Sequence, residues 1–158
     1  RFEIRREEVD LSRVVKDALS RFAQQFALAG CSLNIRAEEP VVGHWDRLRV
    51  EQVVNNLVSN ALNYGRGKPV EITVGKADSN ARLSVRDHGI GIQPEHKARI
   101  FERFERAAVS RNYGGLGLGL YIVKQIVDLL CGSITVDSEP GVGSEFTVLL
   151  PLSLDKPV

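Results

Sequence analysis

The chain has 158 residues, of which 43% are hydrophobic and 26% charged, with a net charge of +1. That balance excludes a disordered tail and a polyanion binder, and the length suits one domain with a real core. No apolar run approaches the roughly 18 residues of a spanning helix, and RFEIRREEVD at the start lacks the apolar centre of a signal peptide. A cytoplasmic domain is therefore expected, compatible with a membrane-anchored parent. The absence of Met and the opening on Arg1 read as a segment of a longer protein. Cys31 and Cys131 lack the paired spacing of a metal site and are expected as reduced, structural thiols.

Over residues 10–29 the apolar Leu11, Val14, Val15, Ala18, Leu19, Phe22 and Phe26 recur at three and four, the helical period, with Asp10 or Ser12 as cap and Gly30 as stop. Residues 32–37 alternate as a half-buried strand, and Val41 and Val42 add a short second piece. Asp46 opens another helix, expected to reach Tyr64. Residues 70–77 and 81–85 read as a hairpin around an Asp-Ser-Asn turn, with Ile72, Val74, Leu83 and Val85 inward. Pro94 starts a short helix expected to run towards Phe101. Residues 102–115 lose periodicity and read as a mobile loop. An apolar helix is expected from about Leu116 to Leu130, then strands over 133–138 and 145–150 around the turn EPGVGS, and a frayed tail. Helices mixed with strand pairs mostly adjacent in sequence favour a mixed, largely antiparallel sheet covered on one face.

Three features carry chemistry. In the Asp46 helix the apolar Val50, Val53, Val54, Leu57, Val58 and Ala61 share one face, while Asn56, Asn60 and Asn63 share another, turned about 130° away. Solvated faces favour Lys, Glu and Arg over repeated Asn, a weak helix former, so the stripe suggests amides aimed at a ligand. The second feature is DHGIG, residues 87–91, directly after a strand. It fits a strand-ending turn, or a loop whose glycines admit a flat ligand while Asp87 accepts a hydrogen bond from the ligand's amino group. The third is GGLGLGL, residues 114–120, at the entrance to the last helix. Each glycine there costs about 0.5–1 kcal/mol relative to Ala, which uncovered backbone amides forming a phosphate site would justify. Close helix-to-sheet packing is the other explanation.

In order, the Asn helix, the Asp-Gly loop, the phenylalanine-rich IFERFER (residues 100–106) and the glycine loop resemble the four nucleotide boxes of the sensor histidine kinase catalytic domain. The resemblance spans about residues 8–151, including SEPGVGSEFTVLLP. That family shares the Bergerat fold with type II topoisomerases, mismatch-repair ATPases and a class of heat-shock chaperones. It implies an α+β two-layer sandwich, a mixed, mostly antiparallel sheet with helices on one face, holding Mg²⁺ and ATP between the Asn helix and a flexible lid over residues 102–115. Residues 1–9 would end a linker from a missing dimerisation and phosphoacceptor domain, 10–152 would form the catalytic domain, and 153–158 a tail.

Carried over by position, Asn60 would ligate Mg²⁺, Asn56 would face the phosphates, and Asp87 would bind the adenine amino group in a pocket lined by Gly89 and Gly91. Tyr64 would cover the base. Arg103 or Arg106 would reach the terminal phosphates, wrapped by Gly115, Leu116, Gly117, Leu118 and Gly119, while Phe101 and Phe104 would anchor the lid. Asn63 stands where the family often has Lys, so one phosphate-binding cation is missing. None of His44, His88 and His96 sits in a phosphoacceptor motif. The implied partners are the protein's own dimerisation and histidine phosphotransfer domain and a response regulator receiver domain, with no nucleic acid and a homodimeric parent. A hydrolase of the same fold would carry a Glu at the position of Asn56, and an amide cannot take a proton from water. A non-catalytic nucleotide-binding regulatory module is the alternative that Asn63 keeps open.

Overall fold

The computed structural model describes residues 3–102 and 119–153. Strand β1 (Glu7–Asp10) leads into helix α1 (Leu11–Ala29), followed by β2 (Leu33–Ala37), β3 (Val42–Trp45) and helix α2 (Arg47–Tyr64). The hairpin β4 (Val70–Ala77) and β5 (Asn80–Asp87) precedes the short α3 (Pro94–Lys97), then helix α4 (Gly119–Leu129), β6 (Ser133–Glu139) and β7 (Gly143–Pro151). Five strands form one sheet in the order β2-β4-β5-β7-β6, in which only β2 and β4 run parallel. The result is the two-layer α+β sandwich expected.

Its two faces differ for the reason that strands alternate. Ile72, Val74, Leu83, Val85, Phe146, Val148 and Leu150 point one way and are buried, whereas Thr73, Arg82, Arg86 and Glu145 point the other. Helices α1, α2 and α4 cover the apolar face, with α2 packed between the other two. The buried stripe of α2, including Val53, Val54, Leu57, Val58 and Ala61, is the one its periodicity marks. No helix among the described residues is long and apolar enough to cross a membrane.

Both long helices are capped as the sequence suggests. Asp10 accepts from the Ser12 amide, and Gly30 ends α1 in the left-handed region at φ 70°. Asp46 Oδ1 accepts from the amides of Leu48 and Arg49, at 3.1 and 3.3 Å.

Three features depart from the expected outline. The strand β1 is not marked by alternation, because only Val9 of its four residues is buried. It pairs antiparallel with β3, so the two adjacent pieces at 33–37 and 42–45 belong to different sheets. Leu11 N bonds to Val41 O and the Val41 amide to Asp10 Oδ1, which carries the chain away from β2 and onto the start of α1. The helix after Pro94 lasts a single turn; the chain continues to Glu102 through bonds three residues apart, His96 to Gln93, Arg99 to His96 and Glu102 to Arg99, and sinks Ile100 into the core. Cys31 is buried, as a structural thiol should be, but Cys131 is exposed, in a turn at φ 63°.

The small β1–β3 sheet is tied to the rest by Trp45. Its ring is fully buried and its Nε1 donates to Pro151 O at 2.7 Å, while His44 N donates to Leu152 O at 3.1 Å. Asp46 Oδ2 accepts from the Arg5 amide at 3.0 Å, so one carboxylate caps α2 and holds the incoming chain. The Arg47–Glu7 ion pair nearby is 3.8 Å long and half exposed, a geometry worth at most about 1 kcal/mol. The cap is the larger effect. Asp46→Ala should lower stability by about 1–2 kcal/mol in urea melts, and Asp46→Asn, which keeps an acceptor, by clearly less.

Candidate functional site

Asp87 ends β5 on the helix-facing side of the sheet and is 3% exposed. Its Oδ1 accepts from Gly89 N at 2.9 Å. Burial pushes its carboxyl above the usual carboxylate range, and the amides of Gly89 and Ser144, with His88 nearby, offset only part of that rise. An acid desolvated to this degree, with few donors around it, is suited to meet a donor from a ligand.

The loop from Asp87 to Ile92 is clamped on two sides. Ile90 N donates to Tyr64 O at 3.3 Å, and Gly141 N donates to Ile90 O at 2.8 Å, which wedges the loop between the end of α2 and the β6–β7 turn. The glycines follow from that fit. A Cβ on Gly89 would stand 1.7 Å from Tyr64 O, and Gly91, at φ +72°, has Glu139 O 2.1 Å from where its Cβ would be. Backbone packing within the protein therefore leaves no room for a side chain at either position, and the positive φ of Gly91 fits the strand-ending turn that the sequence offered as one reading.

Gly119 is the opposite case. No described atom lies within 4 Å of the position its Cβ would take, so this glycine at the start of α4 is not explained by packing against helix or sheet. Asn56 Nδ2 donates to Gly119 O at 3.2 Å and ties the middle of α2 to that helix start. Asn60 follows one turn later on the same flank, half-buried. Asn63 lies at the edge of this flank and lines a groove between α1 and α2 with Phe22, Leu28, Ser59 and Arg66. Lys124 pairs with Asp128 at 2.8 Å, one turn along α4.

The structure thus brings Tyr64 and Gly65 against the Asp87–Gly91 loop, and Asn56 against Gly119. Arg103, Phe104, Arg106, Gly115, Leu116, Gly117 and Leu118, and with them nearly all of the expected lid, lie outside the described residues. Phe101 packs on the core, with its ring edge-on to Phe146 at 6.2 Å between centroids. Two residues that the sequence reading passed over support the loop. Ser138 Oγ accepts from Ile92 N at 2.8 Å, and Ser144 lies across the ladder from Asp87. Their signal in the sequence was a serine at inward register in strands that are otherwise apolar on that face.

The family of histidine kinase-, DNA gyrase B- and HSP90-like ATPases matches residues 45–154. The chain belongs to this family. Among curated relatives of this ATPase domain, the sensor-like histidine kinase SenX3 of Mycobacterium tuberculosis is 40% identical over 155 residues, covering 94% of this chain and 37% of that protein. The sensor histidine kinase MtrB of Mycolicibacterium paratuberculosis is 38% identical over 153 residues, 95% of this chain and 27% of its own length. The ATPase domain thus spans only a quarter to two-fifths of these relatives. Among solved structures, the catalytic domain of histidine kinase ThkA superposes with a TM-score of 0.84 at 26% identity, over 94% of this chain and 99% of that one. Full-length ShkA in complex with AMPPNP superposes with a TM-score of 0.85 at 26% identity, over 99% of this chain and 33% of that one.

The fit at Gly89 gives a direct test of the ATPase site. Gly89→Ala should cost roughly 1–3 kcal/mol of stability, as overpacking does, and weaken nucleotide binding with it. Unchanged melting of that variant would show that the loop does not depend on this close approach.

Proposed function

We propose that this chain is the ATP-binding catalytic domain of a two-component sensor histidine kinase, offering the γ-phosphoryl group of ATP to a histidine on a separate helical domain. The observation that carries the reading is the pairing of a buried acceptor, Asp87, with an amide-bearing flank of α2 that meets the glycine start of α4. The Asp87 end of this arrangement suits a base with an amino group, and the Asn56 end suits phosphates. The unit covers residues 10–152, with 1–9 the end of a linker and 153–158 a tail; residues 7–9 fold onto the unit through β1. Its partners are the protein's own dimerisation and phosphotransfer domain, in a homodimeric parent, and a response regulator receiver domain. Residues 10–152 work in the cytoplasm, whether or not the parent is anchored.

Asp87 accepts the adenine amino group, whereas guanine would present a carbonyl oxygen to the same carboxylate and leave two acceptors facing each other. Tyr64, Gly89 and Gly91 border the base. Asn56 and Asn60 face the phosphates, Gly119 presents the positive end of α4 to them, and Arg103 and Arg106 reach the terminal phosphate. The donor set fits Mg²⁺: among the described residues there is no group of three His, Cys, Asp or Glu that would hold a metal alone, while the Asn60 amide oxygen is a hard donor suited to an ion held chiefly by phosphate oxygens. Mg²⁺ when bound neutralises charge on the transferring group. With an amide at position 56 and no carboxylate there to deprotonate water, α2 positions phosphates without promoting their hydrolysis. The AMPPNP complex of ShkA, superposable over 99% of this chain, supports the nucleotide assignment.

Labelled ATP should leave no stable label on this chain alone and should label a cognate helical domain added in trans. Stable phosphohistidine on the isolated chain would overturn the proposal.

Asp87→Ala should abolish the preference for ATP over GTP, which in the parent chain should be at least about tenfold by calorimetry. The ligand's amino group prefers the ionised carboxylate. Affinity should therefore be full above the raised pKa of Asp87 and fall as pH drops through it, starting above the ordinary carboxylate range. Asp87→Asn should remove that fall.

A further inference from the structure

Three groups pull the buried Asp87 carboxyl down against its desolvation: two backbone amides and His88. The amides are fixed dipoles, whereas imidazoles as a class change charge between about pH 5 and 8. His88 is held at both backbone and ring. A Cβ on Gly143 would stand 2.8 Å from His88 Cα, so the β6–β7 turn lies against its backbone, and the amide of the next residue is bound to Asp87 Oδ1 at 2.9 Å. Its ring meets β4, where Nε2 lies 3.0 Å from Glu71 Oε1. A carboxylate only accepts, so Nε2 carries the proton of the neutral ring and the proton gained in acid goes to Nδ1. The bond to Glu71 therefore persists in both charge states. What changes with pH is the charge of the ring and not its place.

The charges around the ring come from each neighbouring element. Glu71 stands on β4; Arg86, on β5, lies 3.9 Å from the same Glu71 oxygen, with Asp87 next in the chain. On β7, Glu145 is the cross-strand partner of Arg86 and accepts from Ser84, and Glu139 ends β6 opposite Gly143. The row Glu71, Arg86, Glu145 carries a net negative charge, which a proton on His88 cancels. The sign of the effect on Asp87 follows, since positive charge added one residue away favours the ionised carboxyl.

We infer that His88 is a positioning residue for base recognition, propped on Glu71 so that its charged ring sustains nucleotide binding in acid. This rests on the reading of Asp87 as the adenine acceptor. Burial already disposes Asp87 to take up a proton, and with that proton it ceases to be the acceptor that an amino group prefers. Charge gained by His88 as the medium acidifies opposes that uptake. One proton bound at the rim of the sheet thus defers the binding of another inside it.

The test is calorimetric titration of the whole chain with ADP from about pH 5 to about pH 8.5, with thermal melts to establish folding. Wild type is compared with His88→Gln, which keeps a neutral donor for Glu71, and His88→Lys, a permanent cation. The ionisation of ADP itself is common to all three. His88→Gln should match wild type at the alkaline end and begin its acid loss about half a pH unit higher, which makes it about threefold weaker at the acid end. His88→Lys should hold its affinity down to the same pH as wild type or lower. Coincident profiles for wild type and His88→Gln, or an equal loss in both variants at every pH, would overturn the inference. If His88→Gln does not fold, His88→Asn takes its place with the same expectations. Asp87→Asn separates the two levels: if ADP affinity and its acid loss both survive, the adenine assignment itself fails, and if the acid loss disappears while His88→Gln tracks wild type only the role of His88 falls.

Discussion

A carboxylate taken out of water is costly, by several kcal/mol even after relaxation, and the architecture around Asp87 is organised by that cost. Asp87 is 3% exposed at the end of a central strand, and its compensation comes from two backbone amides and, to a smaller extent, from His88. Both amides come from segments locked by close backbone contact. Gly89 is pressed against the end of α2, and Ser144 stands in register in the β5–β7 ladder. An Arg or Lys in their place would satisfy the charge completely and leave nothing for a ligand to do. Partial compensation keeps the group both tolerable and receptive.

Helix α2 links this acid to the start of α4. Its apolar stripe packs on the sheet between α1 and α4, its last turn supports the Asp87–Ile92 loop, and Asn56 on its flank meets the start of α4. These tasks need different faces and different ends of one rigid rod. That division explains why the Asn stripe does not coincide with the buried stripe: each Asn is spaced by turns of the helix, while its neighbours in sequence fill the core.

Periodicity made most of the fold legible. The capped α1 and α2, the β4–β5 hairpin with its four inward residues, and the final strand pair all follow from apolar spacing and turn chemistry over short stretches. What local pattern could not carry was pairing over distance. The strand β1 has one buried residue, too few to alternate, and the parallel partnership of β2 with β4 depends on where the chain goes after Ala37. At the site, Asp87 and the turn after it were marked by their position at a strand end, but the close contacts at 89 and 91 were not, because the atoms that exclude a side chain there belong to Tyr64 and Glu139. Ser138 was missed for a similar reason, since a single inward serine is informative only once the loop amide it meets is in view.

The seam at β3 gives the molecule a mechanical polarity. The entering chain is held through Arg5 on Asp46 and through β1, and the departing chain through Pro151 and Leu152 on Trp45 and His44. Both flanks therefore meet at one four-residue strand at the N-terminal end of α2, and the departing one is held also by Ser79 O, which accepts from Leu152 N at 3.0 Å. The loop bearing Asp87 is braced at the other end, about 27 Å away along an 18-residue helix. A pull on the entering chain is therefore borne first by that seam and the helix cap, a helix's length from the loop that bears Asp87.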